Sequence, residues 1–178
     1  MTSTFKEYFA MPNLRFLTVN FVYHLALAVW IGGNVMLFLS APVIFGRVPS
    51  RSAAGEIVWT ILGRFDAVKA VCAAALLTAV ALRRRWFETT QGRIAWRWDD
   101  TYTWQAIRNG AVLALVALLI VNALVLSPMI HRIRDQAGDI TSLPEGDPMR
   151  ARFGMLHGLS MLCSLLEVVA GLAAMFPV

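Results

Sequence analysis

The sequence predicts an all-α protein, an integral membrane four-helix bundle, on three observations. Four runs, near residues 16–45, 57–82, 107–130 and 153–176, are apolar over about 20 residues or more, the length at which a helix crosses a bilayer. Of the 178 residues, 58% are hydrophobic and only 15% charged. The mean hydropathy is +0.62, a surplus of apolar surface that a water-soluble core of this size cannot bury and that lipid can receive. The chain, 1–178, therefore reads as a single transmembrane domain whose first partner is the lipid bilayer.

The elements follow in order. The first run is too long for a signal-peptide core, has no strongly basic start and shows no small-x-small cleavage site, so it reads as a retained span. Pro42 and Pro49 frame the first connection, and Ser52-Ala-Ala-Gly-Glu56 has the pattern of a helix start with an acidic first turn. The second span is thus expected to begin early, as an interfacial turn before Gly63. Arg83, Arg84 and Arg85 abut the end of that span, and Trp96, Trp98, Tyr102 and Trp104 in the next connection suit a belt at headgroup level. The third connection, His131 to Arg152, is polar, carries Gly138, Pro144, Gly146 and Pro148, and reads as an irregular exposed loop. Cys72 and Cys163 lie inside spans, far apart in sequence, and read as small packing thiols and not as a redox or zinc pair.

The formal charge of +5 and the pI near 9.9 belong to this topology and not to a nucleic-acid partner, because basic residues flanking spans direct insertion. With the N-terminus inside, Lys6, Arg15, Arg83, Arg84, Arg85, Arg93, Arg97 and Arg108 are cytoplasmic. Arg47, Arg51, Arg64, Arg132, Arg134, Arg150 and Arg152 then fall on the opposite side, nearly balancing them. The triad abutting the second span decides for both termini in the cytoplasm.

Polar residues within the spans are the candidate functional positions, since each is costly at bilayer depth. His157, Ser160, Ser164, Glu167 and Gly171 follow a 3,4,3,4 spacing that places them on one stripe of the fourth helix. Asn20, His24 and Asn34 share a face of the first, Asp66 and Lys69 face together in the second, and Asn122 stands alone in the third. With alternate helices antiparallel, Asn34, Asp66, Asn122, His157 and Ser160 fall in the outer half, Lys69 and Glu167 near the midplane, and His24 further in. The expectation is a polar column through the bundle interior. Against it stands a plainer account, in which Lys69 pairs with Asp66 or Glu167 and the asparagines are interhelical hydrogen-bond glue.

Haem b or copper would call on His24, His131 or His157, the only histidines. His24 and His157 differ in depth by roughly 20 Å, which disfavours one iron held between them. His131 and His157 lie closer, with Met129, Met155 and Met161 nearby, and soft thioether and imidazole groups suit Cu(I). A hydrogen-bonded structural role is the competing account for each. No Ser-His-Asp set, HExxH or glycine-rich phosphate loop is present, so an enzyme is not supported. Gly32-Gly33, Ala73–Ala75 and Ala170-Gly171 have the character of close helix-packing surfaces.

Trp30-Ile-Gly32-Gly33 after His24, then Ala41-Pro42, the Ser52 to Glu56 turn, and Leu156-His157-Gly158-Leu159-Ser160 opening the last span together resemble the transmembrane protein 205-like family. That family is largely a bacterial domain of unknown function. Trp-x-Gly-Gly is also similar to a motif of copper-resistance D-type membrane proteins. The resemblance implies a four-helix integral protein of the bacterial inner membrane with no established catalytic activity. Association of eukaryotic relatives with platinum-drug resistance implies a theme of solute or metal export. Trp30, Gly32, Gly33, Pro42, His157, Gly158 and Ser160 carry over as motif positions, whereas Ser164 stands where the family pattern favours Asn.

Three functional readings result. The first is a non-enzymatic membrane protein handling a small cation, metal or solute through a polar interior. The second is a haem b- or copper-binding protein, and the third a structural or assembly subunit, as a homo-oligomer or within a larger membrane complex.

Overall fold

In hydrocarbon a backbone N–H or C=O finds no water, so a crossing segment must satisfy these groups within itself, as a helix does. The computed structural model describes residues 14–90, 100–138 and 140–176, and among them the chain is helical almost throughout. Helix α1 is Leu14–Arg47, α2 Arg51–Thr90, α3 Asp100–Val121, α4 Ser127–Ala137 and α5 Pro148–Met175. A π turn, Asn122–Leu126, joins α3 to α4 without a break. The four crossings are therefore Leu14–Arg47, Arg51–Arg85, Thr103–Ala137 and Pro148–Met175. At 28 to 35 residues each outlasts the hydrocarbon, so its ends reach headgroup depth or it tilts.

Helix α1 packs against α2 and α5, and α3 against α5 and α2, which closes a ring of four. One end of the bundle carries Leu14, Arg85, Thr103 and Met175 and is called the near end; the other, with Arg47, Arg51, Ala137 and Pro148, is the far end. Tyr23, Leu27, Trp30, Leu76, Val112 and Leu115 fill the middle and near part of the core. Leu126, Ile130, Ile133, Leu156 and Cys163 fill the far part. Leu25, Val71, Leu113, Leu124 and Leu165 are exposed on the outside, as a lipid-facing surface requires. Cys72 and Cys163 are free, buried thiols in the packing.

Several boundaries differ from those expected. Pro42 does not frame the connection: α1 runs through it to Arg47. The second helix does begin early, at Arg51, but runs continuously through Gly63 with no separate turn; its first turn holds no acidic residue, and Ser50 Oγ accepts from Ala53 N at 3.3 Å. The stretch from His131 to Arg152 is not one irregular loop. Helix α4 continues to Ala137, and α5 starts at Pro148, where Asp147 caps it by accepting from Met149 N at 2.7 Å. Only 138–147 connects the two, with a 3₁₀ turn at Ile140–Ser142 and Gly138 at φ 66° closing α4. Lys6, Arg93, Arg97, Trp96 and Trp98 lie outside the described residues, as does the Tyr102 side chain.

Two glycines set the helix spacing. A Cβ on Gly33 would overlap the Phe65 ring of α2, and one on Gly171 would stand 2.7 Å from Ile31 Cγ1 of α1. Gly32 and Gly158 meet nothing within 4 Å, so the close approach belongs to the second glycine of the Gly32-Gly33 pair alone. Gly33→Ala should therefore lower stability by about 1–3 kcal/mol through overpacking, with Gly32→Ala close to neutral. Thermal unfolding of both variants in one detergent checks this; equal midpoints would contradict the close approach.

Candidate functional site

At the middle of the bundle three side chains from two helices meet on a carboxylate of a third. Glu167 of α5 is fully buried, and its Oε2 accepts from Trp30 Nε1 at 2.9 Å, Asn34 Nδ2 at 3.1 Å and Lys69 Nζ at 3.3 Å. Trp30 and Asn34 are one helical turn apart on α1, so both donors point the same way. Lys69, on α2, is 1% exposed and also lies 2.8 Å from Asp66 Oδ1, three residues back on its own helix. That approach lies off the hydrogen-bonding direction, so it acts as an ion pair and not as a directed bond. The ammonium sits 5.5 Å from the centre of the Phe65 ring, which closes the cluster on the α2 side.

The second oxygen of the carboxylate is different. Glu167 Oε1 is buried and has no hydrogen-bond partner. Two carboxylates share one ammonium here, so the fully ionised cluster carries one uncompensated negative charge. In a low-dielectric interior an unpaired charge is costly.

Two helical turns toward the far end, about 10 Å along α5, Ser160 Oγ donates to Asn122 Oδ1 at 2.7 Å. Asn122 opens the π turn, where Ser127 N reaches back five residues to Asn122 O. The wider turn precedes Pro128, whose ring would clash with a regular helical carbonyl four residues back. Ser164 Oγ bonds back to Ser160 O at 3.1 Å within its own helix. Asp66, Asn122, Ser127 and Ser160 line a cavity of about 30 Å³ with Trp59 and Gly63, room for a water molecule.

Six of the expected positions are thus linked: Asn34, Asp66, Lys69 and Glu167 in one cluster, and Asn122 and Ser160 in a second that shares the cavity with Asp66. Asn122 bonds across helices, as the hydrogen-bond-glue account has it. His24 and His157 are corrections. Both are exposed on the outer surface of the bundle. At about 100° per residue, His24 stands that far round from buried Tyr23, and His157 has drifted about 80° from Glu167 over ten residues. His24 Nδ1 bonds Asn20 O at 2.8 Å, and the His157 ring stacks on Phe153 with centroids 5.9 Å apart. His131 lies edge-on to Trp59 at 4.6 Å and 3.8 Å from Asp135 Oδ1.

The Tyr23–Ala174 and Trp30–Glu167 contacts fix the antiparallel register of α1 and α5. That register leaves His24 and His157 some 16 residues apart along α5, about 24 Å. Among the described residues no group of three His, Cys, Asp or Glu side chains gathers as metal ligands. Trp30 is the residue that polar spacing passed over; its position one turn before Asn34 was the available signal, masked because an indole counts as apolar.

A family model described as a domain of unknown function (DUF4149) matches residues 25–139. Neither the search of curated proteins nor that of solved structures gave a match.

Removing one partner of this cluster should be costly. Glu167→Ala leaves the Trp30 and Asn34 donors buried without an acceptor and Lys69 with Asp66 alone, and a loss of about 3–5 kcal/mol is expected. Glu167→Gln keeps an acceptor oxygen and should lose less. Denaturant unfolding in mixed micelles tests the order, which would be contradicted if Glu167→Ala unfolded like wild type.

Proposed function

This chain belongs to the family of the domain of unknown function DUF4149, and we propose that this member is a non-enzymatic membrane protein that takes up and releases a small cation at the Asp66–Lys69–Glu167 cluster. The observation that carries the reading is the fully buried Glu167 carboxylate with one oxygen saturated by three donors and the other unpartnered. A group used only as packing glue gains by satisfying both oxygens. Here the unsatisfied oxygen sits in a cluster one positive charge short of neutrality.

The proton is the cation this interior suits best. The small cavity beside Asp66, walled by Asn122, Ser127 and Ser160, has room for water that can relay a proton to the carboxylate. Asp66, 20% exposed beside that cavity, is the group that exchanges with it, and Lys69 couples Asp66 to Glu167. Ser160 and Asn122 position the cavity wall. A solute- or metal-export theme, which the resemblance to the transmembrane protein 205-like family implies, would use the same carboxylates as its coupling site. The haem b or copper reading finds less support, since His24, His131 and His157 each face a separate local partner.

Proteoliposomes with an entrapped pH-sensitive dye and a clamped membrane potential provide the test. Wild-type protein should dissipate an imposed pH gradient faster than protein-free vesicles, and Glu167→Gln and Asp66→Asn should return the rate to background. Proton flux equal to that of empty vesicles, or a Glu167→Gln rate equal to wild type, would overturn the reading.

A further inference from the structure

The near end of the bundle holds a second polar site, built from all four crossings and unconnected to the carboxylate cluster. Arg83 of α2 and Arg108 of α3 both lie over one aromatic ring, that of Tyr23 on α1, with guanidinium carbons 4.2 Å and 5.8 Å from its centre. The ring is fixed in place: it is fully buried, and its hydroxyl donates to Ala174 O of α5 at 2.9 Å. Arg83 Nη2 donates to Asn20 Oδ1. Three further donors, Arg83 Nε, Arg83 Nη1 and Arg108 Nε, are buried and have no hydrogen-bond partner. Among the described residues no carboxylate pairs with either guanidinium.

Two like charges held over one ring repel each other, and the attraction of the ring's face for each does not offset that together with three unsatisfied donors. What satisfies such a set is an oxyanion with several acceptor oxygens. The guanidinium fork matches phosphate geometry and binds it more strongly than neutral acceptors. The depth identifies the kind of phosphate. Arg83 lies 14 residues beyond Lys69 on α2, about 21 Å from the middle of the span, where the hydrocarbon has given way to headgroups. The geometry points to a binding site for a phosphate anion between α2 and α3, supplied by the headgroup of an anionic phospholipid, with Arg83 and Arg108 as its ligands, Asn20 orienting Arg83 and Tyr23 as its floor. Basic pockets between helices at this depth recognise anionic headgroups by the same chemistry.

The test is thermal stabilisation of the delipidated full chain by three probes: phosphatidylglycerol, phosphatidylcholine and inorganic phosphate. Phosphatidylglycerol should raise the unfolding midpoint saturably, more than phosphatidylcholine at equal concentration, and added salt should weaken the effect. Arg83→Gln and Arg108→Gln should each weaken the apparent affinity by about tenfold or more, as expected for loss of a charge-assisted bond. Arg51→Gln, the same charge change at the far end, should leave it unaltered. An equal shift from inorganic phosphate, lost in the same variants, would support the anion site with a free anion as its ligand. Equal shifts from both lipids, or anionic-lipid shifts that survive in both arginine variants, would overturn it. Should either glutamine variant fail to fold, Arg83→Lys and Arg108→Lys retain the charge and remove the fork; a loss of affinity in these supports the site, and unchanged affinity argues against it.

Discussion

Everything in the bundle's interior is arranged around a single oxygen atom, Glu167 Oε2. A lone Lys or Glu at the centre of a span costs about 3 kcal/mol or more. Their pairing across α2 and α5 turns two such costs into one contact, and Trp30 and Asn34 make the pairing directional. The result ties three of the four crossings at one level without relying on a hydrophobic drive that lipid does not supply. Gly33 and Gly171 serve the same junction, because α1 must approach both α2 and α5 closely for its donors to reach the carboxylate.

The fold was legible because lipid imposes simple rules: length and apolarity alone marked all four crossings, and they occur where the runs predicted. The charged centre was legible too, since Asp66, Lys69 and Glu167 are expensive at their depth and few partners exist for them. Which other polar residues face inward was harder to read. His24 and His157 looked aligned with Asn34 and Glu167, yet ten residues of a 3.6-residue helix accumulate an offset that carries each onto the outer surface. The π turn left no periodic trace either, and its sign was Pro128, which regular helical bonding rejects.

The two polar sites are of opposite sign and lie at different depths. The central one has more carboxylates than cations, and the near one has two guanidiniums over a single ring. Arginines abutting a span are read from sequence as markers of topology. Arg83 serves the packing as well: it reaches across to Asn20 and Tyr23 and so holds α2 against α1 at headgroup depth. The indole of Trp30 has a similar double part, filling the core with its rings while its N–H serves the carboxylate.

The order in which a chain is made gives the Asp66–Lys69 contact a separate meaning. Segments emerge from the ribosome N-terminus first, so Lys69 enters the membrane about a hundred residues before Glu167 exists, the two being 98 positions apart. Trp30 and Asn34 wait longer still for their acceptor. During that interval Asp66 is the one carboxylate already beside the ammonium, three residues away on the same helix. The second span thus carries a counter-charge for Lys69 into the bilayer with it. The last span, arriving with Glu167, then closes the bundle.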